Sequence, residues 1–256
     1  MSRISVVILL TALAGLAGVS GCAEKANPCL RIDPQADAAL HKMSATLSHA
    51  KSFSFQSMTT MDEPVETGQL VQFSRQIRVV AQRPDRLFVQ TQMGNDTWTL
   101  WYEGTSLTLL DKVGKAYASA KVPGRIGAML DTVAREHDLT VPLSDFLFAD
   151  PYEVLTTGAL TGKYIGQFEM AGAKCDQLLF THDALDWQIW IDAGGQAVPR
   201  KIVIDYKRMP ERPQFTAVFS DWNLAAPAEA AQFTPQLPKE TKRVELDELL
   251  AGVEGE

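Results

Sequence analysis

The sequence predicts a mainly β fold of the α+β class: one long antiparallel sheet of about eleven strands with a few helices packed on it. Three observations carry this. From Ser52 onward, strand-like stretches follow one another with tight-turn signals between them. Apolar residues fall at helical spacing after Asp33 and again after Pro123. Several strand stretches are also apolar on both parities. In TWTLWYE, Trp98, Leu100 and Tyr102 point one way and Trp101 the other, so both faces of the sheet must be at least partly covered.

The chain opens with a basic residue at Arg3, an apolar run over 4–16 and then small residues, the three-part build of an export leader. That run is shorter than the roughly 20 apolar residues of a spanning helix, and no later stretch is long and apolar enough either. Val19, Ser20, Gly21 and Cys22 match the bacterial lipobox, which makes 1–21 the leader and Cys22 the lipidation site. The alternative is ordinary cleavage after GCA, leaving a soluble periplasmic protein that begins at Glu24. Several acyl chains on a lipoprotein hold stably where one holds marginally. Ala23, rather than Asp, follows the cysteine, and this favours an outer-membrane anchor facing the periplasm.

Residues 22–32 then read as an N-terminal arm, 33–238 as the folded domain and 239–256 as a polar, frayed tail. In an oxidising compartment the remaining cysteines, Cys29 and Cys175, can pair across a loop of about 146 residues, stabilising by up to ~4 kcal/mol on the chain-entropy model. Two separate thiols are the alternative. Asp33 is a candidate cap and Pro34 suits a first helical turn. Ala36, Leu40, Met43 and Leu47 fall on one stripe. His41 and His49 share that helix without an adjoining carboxylate pattern, which reads as solvated rather than metal-binding.

Strands are expected at FSFQSMTT, QLVQFSRQIRVVAQ, RLFVQTQM, TWTLWYE, SLTLLD and KAYASAK, joined by short turns into a meander. Between Pro123 and Asp150 the alternation stops. Ile126, Met129, Leu130 and Val133 mark a helix, and PLSDFLFAD reads as a second short one. Strands resume at GKYIGQFEMAG, AKCDQLLFTHD, LDWQIWIDAG, PRKIVIDYKR and PQFTAVFSDWNL.

A formal charge of −7 argues against nucleic acid and against attraction to anionic lipid, so membrane contact falls to the anchor or to apolar surface. Catalysis needs a positioned nucleophile, metal or oxyanion site beside a base. His182, Asp183 and Asp186, or His137 with Glu136 and Asp138, stand without such a companion. No nucleophile elbow, zinc-binding helix or phosphate loop is present, so the sequence reads as non-enzymatic, without metal or cofactor.

RPDRLFVQ followed by TLWYEGTSLTLLDKVGKAYASAKVP resembles the LolA-type lipoprotein carriers, and DWQIWIDAGGQAVPRKIVIDY resembles the strand, turn and strand that recur in that superfamily. With ADPYEVL and CDQLLFTHDALDWQIWI, the mature chain is similar to a family of predicted periplasmic proteins, domain of unknown function two thousand and ninety-two. The resemblance implies an open half-barrel sheet with helices covering its concave face. It also implies a hollow that takes a lipid, a lipoprotein acyl chain or another apolar ligand. Burying an acyl chain of ~16 carbons is worth on the order of 10 kcal/mol, so such a hollow needs no catalytic group to bind. The carriers' basic residue falls at Arg83, with Arg86 nearby; the alternative leaves both as exposed turn residues. Trp98, Leu100, Trp101, Tyr102, Trp187, Ile189 and Trp190 are candidate lining, and core packing is the alternative for each. A second functional class stays open: an envelope interaction or sensor protein whose sheet docks a protein partner without lipid cargo.

Overall fold

A computed structural model describes residues 31–254, except 66, 171 and 228; the leader, Cys22 and Cys29 lie outside the described residues. Thirteen strands form one unclosed sheet. In chain order they are β1 (Arg31–Ile32), β2 (Ser52–Pro64), β3 (Leu70–Gln82), β4 (Arg86–Met93), β5 (Asp96–Glu103), β6 (Ser106–Asp111) and β7 (Ala116–Lys121). After the interruption come β8 (Thr161–Met170), β9 (Ala173–Thr181), β10 (Asp186–Asp192), β11 (Pro199–Asp205), β12 (Gln214–Asn223) and β13 (Lys242–Arg243). The helices are α1 (Pro34–His49), α2 (Ile126–His137), α3 (Pro151–Thr156), α4 (Ala230–Phe233) and α5 (Leu246–Glu254).

The spatial order is β1-β8-β9-β10-β11-β12-β2-β3-β4-β5-β6-β7-β13. The eleven longer strands pair antiparallel; short turns dictate this for neighbours in sequence, and β12 pairs β2 in the same sense across the two halves of the chain. The two-residue strands β1 and β13 add parallel caps at the two ends of the order. Gly162 leaves room for β1: a methyl there would lie 2.6 Å from the Phe180 ring and 2.9 Å from Ile32. The expected open sheet is therefore the observed one, with two short strands more than the sequence signalled.

Because side chains alternate, each strand serves two faces. One face joins Phe53, Phe55, Ile77, Val79, Leu87, Val89, Leu100 and Tyr102 to the stripes of α1 and α2, in a single contiguous core. The expected stripe Ala36, Leu40, Met43 and Leu47 is fully buried, as are Met129 and Val133. The other face carries a smaller cluster of Val80, Phe88, Trp101 and Leu110 beneath Phe233 of α4.

Three local expectations are corrected. Asp33 does not cap α1 with its side chain; its Oδ2 accepts the Tyr164 amide at 3.1 Å and ties the helix start to β8. PLSDFLFAD forms only a 3-10 turn at Ser144–Phe146, because Leu143 takes left-handed backbone (φ 60°), which an α-helix does not tolerate. The helix falls later, at α3, where Asp150 Oδ1 accepts the amides of Tyr152 (3.0 Å) and Glu153 (3.3 Å) and Pro151 fills the first turn. Beyond 239, instead of a frayed polar tail, the chain adds β13 and α5. Leu246 and Leu249, three apart on a helix whose first turn is acidic, reach the main core.

Candidate functional site

The segment between β7 and β8 crosses the helix-covered face as a lid. Its root is held at the β7 end, where Tyr102 Oη donates to the Pro123 carbonyl (2.7 Å) and the Ile126 amide donates to the Pro84 carbonyl (2.9 Å). Burial, with Asp85 adding to it, pushes the Tyr102 phenol up to about 12, so it stays a donor across the physiological range. Phe146 of the lid reaches the sheet edge-to-face against Phe219, with 5.3 Å between centroids.

Arg83, in the turn between β3 and β4, fastens the lid. Its Nη1 donates to the Leu147 carbonyl at 2.9 Å and its Nη2 to the Phe148 carbonyl at 2.8 Å, with Leu47 of α1 at 3.5 Å. The guanidinium also lies over the Phe53 ring, 5.6 Å from its centroid. Burial lowers its pKa from the usual arginine value, and its Nε is buried without a hydrogen-bond partner. An exposed turn residue is thus the wrong description of Arg83: backbone carbonyls, not water, solvate it. Arg86, three residues on, faces the other way, pairing with Glu103 (2.8 Å) and Gln82 (3.2 Å), half-buried.

A second unusual group sits within the lid. Asp145 is buried within the 3-10 turn, and desolvation raises its carboxyl to about 6 against one favourable backbone hydrogen bond. It faces Tyr206, whose hydroxyl is buried without a partner and whose pKa is raised by burial and then by the Asp145 charge. Buried polar atoms without partners are costly, about 1–3 kcal/mol each, and two of them, Arg83 Nε and Tyr206 Oη, stand on this face of the sheet.

The candidate lining residues divide between the faces. Leu100, Tyr102, Trp187 and Ile189 are buried in the main core and Trp98 packs partly buried against it. Trp101 belongs to the outer cluster, with Phe88 edge-to-face at 6.2 Å, and Trp190 lies outside the main core under the Lys201 ammonium at 4.9 Å. Outside the sheet, Trp101, Phe88 and Arg78 face Glu229 and Gln232 across a groove of about 480 Å³. The strap around α4 that builds this groove was not legible in the sequence; Phe233, an isolated aromatic before two prolines, was its one signal.

The histidines that could have supported catalysis serve structure. His182 Nε2 accepts the Trp187 indole N–H at 2.9 Å, the His182 carbonyl accepts from Lys207, and burial lowers the imidazole pKa. His137 joins α2 to α5 through Asp247 at 2.6 Å, and Glu136 pairs with Arg135. His41 stacks on Tyr152, 3.6 Å between centroids. Cys175 is buried, its Sγ near the Ala173 carbonyl at 3.5 Å, and its expected partner Cys29 lies outside the described residues.

A family model described as predicted periplasmic protein (DUF2092) matches residues 36–247. No curated protein matches the chain. Among solved structures, lipoprotein LppX of Mycobacterium tuberculosis is similar at 12% identity over 77% of this chain and 100% of that one, with a TM-score of 0.46. LprF of Mycobacterium bovis is similar at 14% identity, covering 82% and 98%, with a TM-score of 0.46. A LolA superfamily protein of Nitrosomonas europaea is similar at 11% identity, covering 78% and 97%, with a TM-score of 0.40.

Proposed function

This chain belongs to the DUF2092 family of predicted periplasmic proteins, and from that premise we propose that it is a non-enzymatic lipoprotein, anchored through Cys22, that takes a lipid or acyl chain beneath its lid. The carrying observation is the Arg83 clasp. A cation buried against two lid carbonyls and one α1 carbonyl, with its Nε left unpaired, ties lid to sheet through two replaceable hydrogen bonds and holds α1 with a third. Beneath it lies an apolar face that needs no directed chemistry to hold an acyl chain, since burial of each methylene contributes about 0.8 kcal/mol. Opening the lid exposes that face; closing it returns the carbonyls to Arg83.

The test uses the full chain purified natively. Native mass spectrometry after mild organic extraction reads noncovalent lipid apart from the acyl groups on Cys22, and a fluorescent fatty acid reads uptake. An extractable lipid is expected, with faster uptake and release in Arg83→Leu. If neither protein carries lipid and neither takes up the probe, the carrier reading is wrong and the partner-docking alternative replaces it. The anchor is tested separately: Cys22→Ser leaves the membrane fraction, and unchanged fractionation counts against lipidation.

A further inference from the structure

The turns of the sheet divide between two rims. Strand registers place the turns β2–β3, β4–β5, β6–β7, β9–β10 and β11–β12 on one rim, where Pro64 pairs Leu70, Met93 pairs Asp96, Asp111 pairs Ala116, and Asp186 pairs both Thr181 and Asp205. β1 starts on this rim as well. It runs parallel to β8 with Arg31 opposite Thr161, and Thr161 pairs with Thr181 at the end of β9. The chain therefore enters the sheet from this rim, and the stretch from Cys22 to Arg31 reaches at most about 30 Å when extended.

Five exposed apolar side chains lie on the same rim: Val65, Leu70, Val71, Val113 and Met209, between 36% and 45% exposed. The other large exposed apolar residues described are Met58 and Ile165 on strands, Leu237 beyond the strap, and Phe168, which alone lies near the opposite rim, two residues from the end of β8. Two turns surround the apolar residue with cations. One reads Lys112-Val113-Gly114-Lys115, the other Lys207-Arg208-Met209-Pro210-Glu211-Arg212. Lys115 pairs with Glu240, Lys207 with Asp186 and Arg212 with Asp205. Lys112 and Arg208 have no ion-pair partner among the described residues. In a chain of net charge −7, these two turns each set an exposed apolar residue beside a cation that has no ion-pair partner among the described residues.

We propose that this rim is a bilayer-contact surface, distinct from the acyl anchor. Val65, Leu70, Val71, Val113 and Met209 enter the interface, while Lys112 and Arg208 reach lipid phosphates with their alkyl stems lying along apolar surface. A bilayer is the occupant because the Cys22 anchor is tethered within about 30 Å of this rim, and because an apolar tip beside a cation matches the acyl and phosphate layers in depth. The inference rests on the anchor proposed above and not on cargo in the hollow.

Amide hydrogen exchange tests it, on the full lipidated chain in nanodiscs of phosphatidylethanolamine with a minority of phosphatidylglycerol, against the same chain in dodecyl maltoside. Exchange at 112–115 and 207–212 should slow by at least about threefold in nanodiscs, with the opposite-rim turn at 193–198 unchanged; Lys112→Glu with Arg208→Glu should abolish most of that slowing. Equal behaviour of the two rims, or slowing that the double reversal leaves intact, overturns the proposal. Slowing seen in native envelope vesicles but not in pure-lipid nanodiscs also overturns it, assigning the rim to a protein partner. Acylation of Cys22 is read independently from the mass of the N-terminal peptide, so a missing anchor and a missing rim contact give different results.

Discussion

Within β5, Leu100 and Tyr102 join the main core on the concave side, while Trp101 between them joins a five-residue cluster on the outer side. The two faces of one sheet thus do different work. The helix-covered face is continuous from β7 to β9 in the spatial order and is roofed by α1, the lid and α5. Among the described residues, the outer face carries a small buried apolar cluster under Phe233 of the strap. A large shared core sets global stability, whereas a small satellite cluster opens alone.

The strongest way to break this contrast is to empty each side in turn, concave side first. Phe55 is buried between Phe219 (5.5 Å) and Trp222 (4.5 Å), and Phe55→Ala should destabilise the whole domain by about 3–5 kcal/mol in urea unfolding. A loss below about 1 kcal/mol would mean that the concave face collapses to fill the space and is not the rigid core described.

Next comes Asp145. Its folded-state pKa of about 6 lies above the unfolded value near 3.8, so the folded chain holds this proton longer and loses stability as pH rises between those values. Asp145→Asn removes the penalty. It should stabilise by up to about 3 kcal/mol at neutral pH and change little in acid below both values. Equal effects at both pH values would show that the lid carboxyl is not desolvated.

The strands were legible because alternation and short turns report directly on a pleated, two-sided sheet; all eleven lie where the sequence placed them. The stripes of α1 and α2 were legible for the same reason. β1 and β13 were not, since two-residue strands exist only through long-range pairing. Nor was α5, whose two buried leucines are outnumbered by acids. At the candidate site, Arg83 was visible as a residue but its clasp was not, because its acceptors are backbone carbonyls 64 and 65 positions away and carry no side-chain signature. Leu143 hid the shape of the lid: a leucine in left-handed backbone is a tertiary imposition that local propensity argues against. The aromatics did not announce which face they serve, except where parity decided it, as for Trp101, and Trp98 and Trp190 are only partly buried.

On the outer side, Phe233→Ala should release the strap without unfolding the sheet. A loss of about 1–2 kcal/mol is expected, with faster amide exchange confined to 225–236. Loss of the main transition together with the strap would merge the two clusters into one cooperative unit and dissolve the distinction between the faces.

The smallest effect sharpens the comparison most closely, because it sets two arginines of one turn against each other. Arg83 points inward to carbonyls; Arg86 points outward to the Glu103 carboxylate at 2.8 Å and lies 5.9 Å from the Phe233 ring centroid. Arg86 and Glu103 both remain partly in water, so their attraction is screened and offset by side-chain ordering. The face of Phe233 adds a modest cation–π contribution. Arg86→Ala should therefore lower stability by less than about 1 kcal/mol, shrinking further in high salt, and leave the exchange of the lid over 139–150 unchanged. Arg83→Leu should accelerate exchange in that same segment. If Arg86→Ala instead loosens the lid, the turn acts as one unit and the two faces are coupled through it.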